Sequence, residues 1–318
     1  MPAFRATAPG KIILFGEHAV VYGQPALAVP VPAVRAQAVI SAAPNLPAGE
    51  LRLTAPAVGL EDVVWSQLAP EHPLRRAVDL TLAALQRSRP LAARMRVTSS
   101  IPVAAGLGSG AAVTVAVVRA LSGFLGAPLP SEQVNAIAYE VEKIHHGTPS
   151  GIDNTVVTYA MPVYFVRGRP VQTFRVARPF TLVIADTGVP APTAQAVADV
   201  RRAAEAHPQT YEDLFARIGA LVEQARQAIE EGAPERLGAL MDANHRLLQQ
   251  MGVSCPALDR LVAAAKAAGA AGAKLSGGGR GGNMIALVPP QASPRRAADI
   301  AAALQSAGAT RTIVTTLR

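Results

Sequence analysis

Cysteine, aromatic residues and uninterrupted apolar runs are all scarce in this 318-residue sequence. The one cysteine, Cys255, excludes an intrachain disulfide and is typical of a protein of the reducing cytoplasm. The apolar stretches near residues 12–34 and 180–198 are interrupted by Glu17, His18, Asp186 and several prolines, so we expect neither a membrane span nor a signal peptide. Aromatic residues make up 4% of the chain against 50% for all hydrophobic residues, which predicts a core of small aliphatic side chains.

Lysine is also rare. Only four of the 30 basic residues are lysines: Lys11, Lys143, Lys266 and Lys274. Because arginine takes the generic surface role, a lysine in this chain is a better candidate for specific chemistry. The net charge of +8 is spread along the chain and accompanies no nucleic-acid-binding motif, so we expect small anionic ligands and no nucleic acid.

The order of predicted elements indicates an α+β protein of two domains, residues 1–180 and residues 181–318. Strand-like and helix-like segments alternate in the first part, and amphipathic helices dominate the second. The predicted helices cover residues 73–86, 109–125, 131–145, 194–207, 211–231, 234–250, 256–268 and 294–305. The predicted strands cover residues 11–15, 26–41, 94–99, 155–166, 171–176, 180–185, 273–276, 283–288 and 310–316, and residues 43–70 form a loop or a hairpin.

The most informative motif is the glycine-rich run Ile101–Ala112, between a predicted strand and an apolar helix. Glycine lets backbone N–H groups approach an anion closely, and the positive end of the following helix then faces that anion. The natural anion is a nucleotide phosphate, although no Gly-Lys-Ser/Thr follows as in the Walker pattern. The alternative is a glycine turn that serves packing alone.

A second motif places Lys11 at the start of a short strand and the pair Glu17-His18 just after its end. A lysine there could neutralise phosphate or lower the pKa of a substrate hydroxyl. The alternative is a surface lysine beside a polar turn.

The third motif runs from Glu142 to Asn154. A carboxylate near the C-terminal end of a helix opposes the helix dipole and needs a cation, and Mg²⁺ suits Glu142. Asp153 follows a Pro-Ser-Gly turn and could accept the proton of a substrate hydroxyl. The alternatives are an ordinary arginine pair for Glu142 and a capping role for Asp153. No metal site is expected at His145 and His146, because no cysteine or acidic ligand lies at zinc spacing.

A fourth motif is the second glycine loop, Gly277–Gly282, in which Arg280 interrupts the glycines. A loop of this kind could close over phosphates or line the substrate.

Taken in this order, these motifs resemble the GHMP kinases, a family of small-molecule kinases, over nearly the whole chain. Within that family, Gly16–Gly23 and His146–Asn154 are most similar to the branch that phosphorylates mevalonate. A galactokinase would carry an acidic residue just after the Glu-His pair, where this chain has Ala19-Val20-Val21-Tyr22.

The resemblance implies a ribosomal-S5-like N-terminal domain and a ferredoxin-like C-terminal domain. It implies ATP-dependent phosphorylation of the C5 hydroxyl of mevalonate with Mg²⁺, and, as in many relatives, assembly as a homodimer. Lys11 and Asp153 would act at the attacking hydroxyl, and Glu142 and Ser109 would hold Mg²⁺. The implied ATP-binding residues are Pro102, Ala104, Ala105, Gly106, Leu107, Gly108, Ser109, Gly110 and Ala111. The implied substrate-binding residues are Glu17, His18, Ser150, Thr193, Gly278 and Arg280.

Three departures from the family pattern bear on these roles. Gly110 stands where a second serine is a common Mg²⁺ ligand, and Arg280 stands where glycine or another small residue is usual. Ala191 and Pro192 precede Thr193, where some relatives carry an arginine, and Arg280 could compensate for it. Two alternative functions follow. One is a sister enzyme that acts on a phosphorylated mevalonate, as a kinase or a decarboxylase, and the other is a catalytically weak nucleotide-binding sensor.

Overall fold

The computed structural model describes residues 3–102, 105–146, 149–191, 193–293 and 295–318. The strands are β1 (Phe4–Phe15), β2 (Ala26–Ala42), β3 (Leu51–Ala55), β4 (Leu60–Val64), β5 (Ala93–Ser99), β6 (Val163–Phe165), β7 (Gln172–Thr173), β8 (Phe180–Asp186), β9 (Gly272–Ser276), β10 (Asn283–Leu287) and β11 (Arg311–Leu317). The α-helices are α1 (Pro73–Ala84), α2 (Ser109–Phe124), α3 (Ser131–His146), α4 (Ile152–Tyr159), α5 (Thr193–Ala206), α6 (Pro208–Glu230), α7 (Leu237–Gln250), α8 (Pro256–Ala267) and α9 (Arg296–Ser306).

The chain forms two compact units. The first contains Met1–Lys11 and Val34–Ala160, and the second contains Ile12–Ala33 and Met161–Arg318. This differs from the predicted division at residue 180, because two segments group with the second unit. The first of these segments, residues 12–33, includes the start of β2, where Ala26 pairs with Phe165 of β6. Strand β6 in turn pairs with β7, so both strands belong to the second unit.

The first unit combines a sheet with four helices. Its strands lie in the order β4-β3-β5-β2, with β3 and β5 parallel and the other pairs antiparallel. Helix α2 is apolar nearly all round, as expected for a helix with neighbours on several sides, and it packs against α1, α3, α4 and β5.

The second unit contains an antiparallel sheet in the order β11-β8-β10-β9. Helices α8 and α9 pack on this sheet, and α7 packs on β9. A Cβ atom on Gly272 of β9 would lie 2.1 Å from the carbonyl oxygen of Gly238, so α7 and β9 meet backbone to backbone. The N–H group of Leu275 donates to His245 Nδ1 of α7, which fixes β9 in place.

The structure corrects one part of the predicted secondary structure. The prediction of a strand over residues 155–166 is wrong for its first half, because residues 152–159 form α4 and only Val163–Phe165 is a strand. The β-branched residues of α4, among them Val156 and Val157, favour strands in isolation, but here they are buried inside the first unit. Tertiary burial therefore overrides the local preference.

Two smaller points of the prediction are resolved. The strand predicted over residues 171–176 is limited to Gln172–Thr173. Residues 43–70 contain the hairpin of β3 and β4. Across the described ranges, every helix is too short or too polar to cross a membrane.

Candidate active site

The described part of the first glycine loop, from Ala105 onwards, brings backbone N–H groups to the N-terminus of α2. Gly106 and Gly108 have φ angles of +69° and +71°, which glycine adopts without strain. The backbone hydrogen bond from Ala112 N to Gly108 O, 3.0 Å long, is the first of helix α2. The N–H groups of residues 109–111 therefore have no acceptor within the helix and suit an anion.

The predicted ATP-binding residues divide by exposure. Leu107 and Ala111 are buried and anchor the loop, whereas Gly106 and Gly110 are exposed. Pro102, Ala105, Gly108 and Ser109 are half-buried. Ala104 lies outside the described residues.

Lys11 lies against this loop. Its backbone N–H group donates to the carbonyl oxygen of Leu107 at 2.9 Å. A Cβ atom on Gly108 would lie 2.7 Å from Cγ of Lys11, so glycine at position 108 makes room for the lysine stem.

The two predicted catalytic side chains meet. Nζ of Lys11 lies 3.0 Å from Oδ1 of Asp153, and the side chains are 9% and 31% exposed respectively. Asp153 lies in the first turn of α4, and not on a loop as its Pro-Ser-Gly context suggests. Helix α4 is fixed by hydrogen bonds from Asn154 Nδ2 to Asn135 Oδ1 at 2.7 Å and from Thr155 Oγ1 to Gly151 O at 2.7 Å. The result is a partly exposed carboxylate with an adjacent, largely buried ammonium group.

Glu142 is brought next to the start of α2. It is buried, and its Oε1 atom would lie 3.1 Å from a Cβ atom on Gly110. A glycine at position 110 therefore leaves space for the carboxylate, and Ser109 is the first residue of the same helix. Across the described residues, no three His, Cys, Asp or Glu side chains group as a metal site. One carboxylate beside a helix N-terminus does fit Mg²⁺ carried by nucleotide phosphates, which needs few protein ligands.

In the second unit, Glu17 is a buried partner of Lys274. The two side chains are 1% and 0% exposed, and Lys274 Nζ contacts Glu17 Oε1. Burial raises the pKa of Glu17 and lowers the pKa of Lys274, and each partner offsets part of the other's shift. The pair joins the Glu17-His18 segment to β9, and the substrate contact of Glu17 stays a prediction.

Alternate residues of β9 and the following loop hold residues 13–18. Beside the Lys274–Glu17 pair, Ser276 Oγ donates to Ile13 O at 2.6 Å, and His18 Nε2 bonds to Gly278 O at 2.9 Å. Burial lowers the pKa of His18, and the positive charge of Arg280 lowers it further. A neutral His18 that donates through Nε2 keeps Nδ1 as an acceptor.

The predicted substrate residues Thr193, Gly278 and Arg280 also meet in the second unit. A Cβ atom on Gly278 would lie 2.6 Å from Thr193 Oγ1 at the start of α5, so the loop touches this helix. Two residues further along, Nη1 of Arg280 donates to Asp199 of α5. Ser150 belongs to the first unit, where its hydroxyl oxygen accepts a hydrogen bond from the N–H group of Ile152, the first residue of α4, at 3.3 Å.

Two functional partners are harder to find from sequence. Lys274 carries a signal, because it is one of four lysines and lies next to a glycine loop, but its pairing with Glu17 joins residues 257 positions apart. Asp199 carries no signal, since it is one acidic residue among others on an amphipathic helix.

Sequence comparison places the chain in a known family. The sequence profile of the GHMP kinases N terminal domain matches residues 73–161, and that of the GHMP kinases C terminal region matches residues 225–310. The chain belongs to the GHMP kinase family.

Its relatives narrow the class. The mevalonate kinase of Pyrococcus furiosus is 35% identical over 320 residues, covering 96% of this chain and 93% of that protein. The mevalonate kinase of Pyrococcus abyssi is 38% identical over 320 residues, with the same coverage of each chain. The crystal structure of L. major mevalonate kinase in complex with R-mevalonate is 31% identical, covers 99% of this chain and 95% of that one, and matches with a TM-score of 0.83.

Proposed function

We propose that this chain transfers the γ-phosphoryl group of ATP to the C5 hydroxyl of mevalonate and forms 5-phosphomevalonate, a step in isoprenoid precursor synthesis. The observation that carries the proposal is the Lys11–Asp153 pair, 3.0 Å apart, with Lys11 packed on a glycine loop that ends in a helix N-terminus. Full-length similarity to mevalonate kinases supports the choice of substrate.

ATP is the phosphoryl donor in this proposal. Its phosphates accept hydrogen bonds from the N–H groups of the 105–111 segment, where the helix dipole of α2 also favours negative charge. Glu142 and Ser109 would hold Mg²⁺ at the same place, and Mg²⁺ neutralises negative charge on the transferred group when bound. Gly110 is compatible with this role, because the buried Glu142 carboxylate occupies the space beside it.

Lys11 and Asp153 act on the hydroxyl that attacks. Asp153, in the first turn of α4, orients this hydroxyl and accepts its proton. The ammonium group of Lys11 favours alkoxide character on the hydroxyl oxygen and fixes the Asp153 carboxylate. Transfer then needs little more than positioning and charge stabilisation.

The second unit supplies the groups that recognise the substrate. His18 bonds to Gly278, Gly278 touches Thr193, and Arg280 lies two residues further along the same loop. The neutral His18 offers Nδ1 as an acceptor for a substrate hydroxyl. Ser150 is proposed as a further substrate contact from the first unit. The family resemblance adds a homodimer, which light scattering tests, and the single cysteine supports a location in the cytoplasm.

An ADP-release assay with Mg-ATP tests the proposal. The substrates to compare are mevalonate, 5-phosphomevalonate, 5-diphosphomevalonate, galactose and homoserine. Turnover of mevalonate alone is expected, with kcat of the Asp153→Asn variant lowered at least about 100-fold, as for loss of a general base, while ATP still binds. Asp213→Asn, which alters an exposed pair with Arg217, is the matched control.

Each alternative predicts another result in the same assay. Turnover of a phosphorylated mevalonate would assign the sister activity. ATP binding without turnover of any substrate would favour the sensor.

A further inference from the structure

One residue of the second glycine loop is not glycine, and its backbone is strained. Arg280 has a φ angle of +58°, and His18, which bonds to the same loop, has a φ angle of +61°. A left-handed conformation carries an energetic cost for a residue with a Cβ atom. Glycine would avoid this cost at position 280, so the arginine side chain must contribute something that the backbone alone does not need.

The Arg280 side chain is held at both ends. Its backbone N–H group donates to Val253 O at 2.8 Å, and its Nη1 atom donates to Asp199. Asp199 is itself fixed on α5, because Oδ1 accepts from Gln195 Nε2 at 2.7 Å and from Arg202. These bonds lower the pKa of Asp199, with the Arg280 bond as the main cause, so the carboxylate stays ionised near neutral pH.

The cluster of Arg202, Arg280 and Asp199 has more positive than negative charge and more N–H donors than acceptors. Two guanidinium groups, those of Arg202 and Arg280, share one carboxylate, so the cluster is positive. In the part of the chain that the structure describes, Nη1 is the only guanidinium nitrogen of Arg280 with an acceptor. An edge of the guanidinium is therefore available for a second anion.

The surroundings of Arg280 indicate which anion this is. Gly278, two residues before it, touches Thr193 and accepts a hydrogen bond from His18, and both belong to the proposed substrate-binding set. Mevalonate carries one anionic group, a carboxylate, at the opposite end from its C5 hydroxyl. A planar guanidinium matches a carboxylate through two parallel hydrogen bonds.

We propose that Asp199 is a positioning residue that holds Arg280 so that the free edge of its guanidinium binds the carboxylate of the substrate. Arg280 then supplies the cation that the segment before Thr193 lacks, since neither Ala191 nor Pro192 is the arginine that some relatives carry there. This inference rests on the proposed function, and it assigns the substrate carboxylate to a pair of side chains on the glycine loop and α5.

Steady-state kinetics of Arg280→Gly and Asp199→Asn test the pair. Arg280→Gly should raise KM for mevalonate about 10–100-fold, the equivalent of a charged hydrogen bond, and change kcat and KM for ATP by less than about twofold. Asp199→Asn should raise the same KM about 3–10-fold by loosening Arg280. In the double variant the Asp199 change should add nothing, because its effect passes through Arg280. Asp213→Asn on α6 is the matched control and should change neither constant.

Two further measurements separate recognition from a structural role. The free energy of unfolding of Arg280→Gly should be equal to or above the wild-type value, because glycine relieves the strain. The wild type should prefer mevalonate to 3-methylpentane-1,3,5-triol, which lacks the carboxylate, and Arg280→Gly should lose most of that preference.

The outcomes are distinct. An unchanged KM for mevalonate in Arg280→Gly, or a change confined to KM for ATP, overturns this inference alone. Destabilised Arg280→Gly with an unchanged preference for mevalonate over the triol also overturns it. No turnover of mevalonate by the wild-type chain overturns the proposed function and this inference with it.

Discussion

Replacing Lys274 by methionine should expose the energetic role of the buried Glu17–Lys274 pair. The change keeps a long apolar stem but removes the ammonium group next to a carboxylate that is 1% exposed. An unpaired carboxylate at this depth cannot remain ionised at tolerable cost, so Glu17 should take up a proton.

The magnitude follows from the proton that Glu17 must bind. From its ordinary pKa of 4.5, protonation at pH 7 costs about 3 kcal/mol, within the roughly 3–5 kcal/mol typical of breaking a buried ion pair. At pH 5 the same step costs about 0.7 kcal/mol. Because the folded variant binds more protons than its unfolded state above pH 4.5, its deficit should grow by about 1.4 kcal/mol per pH unit as pH rises.

Urea unfolding at pH 5, 6 and 7 measures this deficit. Lys143→Met is the control, because Lys143 and its partner Glu140 are both more than 40% exposed, and it should cost less than about 1 kcal/mol at each pH. The double variant Glu17→Met/Lys274→Met should recover most of the lost stability, since apolar groups replace both charges. A Lys274→Met deficit below about 1 kcal/mol at pH 7, or one that does not change with pH, would refute the reasoning.

Three further predictions concern the phosphate loop, the metal and pH. Gly108→Ala should lower kcat/KM at least about tenfold, because the added Cβ atom would lie 2.7 Å from the Lys11 stem at a φ of +71°. Gly126→Ala is the control, because a Cβ atom there meets no atom within 4 Å at a similar φ. Equal values of kcat/KM for the two variants would contradict the prediction. Glu142→Gln should raise the Mg²⁺ concentration for half-maximal activity about tenfold or more at saturating ATP, and an unchanged Mg²⁺ titration would remove Glu142 from the metal site. The free energy of unfolding should fall as pH drops below about 6.5, because burial lowers the pKa of His18 and His245 and the unfolded chain then binds more protons. Urea unfolding should show a shallower fall for His245→Asn than for the wild type. An equal dependence on pH in the two proteins would contradict a contribution from His245.

Local motifs predict which residues meet in the first unit, since Lys11 lies against the glycine loop and beside Asp153. The glycine run before α2 and the Lys11 strand are short segments, so both patterns are visible in the sequence. The contact between Lys11 and Asp153 also depends on α4, most of which falls in the strand predicted over residues 155–166. The buried position of α4 in the first unit decides its conformation, and burial of that kind is not encoded locally.

Side-chain pairs between residues far apart in the chain could not be predicted from the sequence. The scarcity of lysine draws attention to Lys11 and Lys274, which are both buried, whereas Lys143 and Lys266 are exposed and pair with Glu140 and Asp242. The rarity of lysine indicated specific chemistry for Lys274, and the structure shows Lys274 as the buried ion-pair partner of Glu17. Arg280 can be identified in the sequence because it interrupts a glycine run. Its partner Asp199 can be identified only from the structure, in which α5 lies beside the loop.

The central claim is a phosphoryl transfer to one particular hydroxyl, and identification of the product tests it most directly. ³¹P and ¹³C NMR of a reaction with Mg-ATP and mevalonate should show one new phosphomonoester, with phosphorus coupled to the C5 methylene. A product phosphorylated at the C3 hydroxyl, or ADP formed without any phosphorylated mevalonate, would contradict the account.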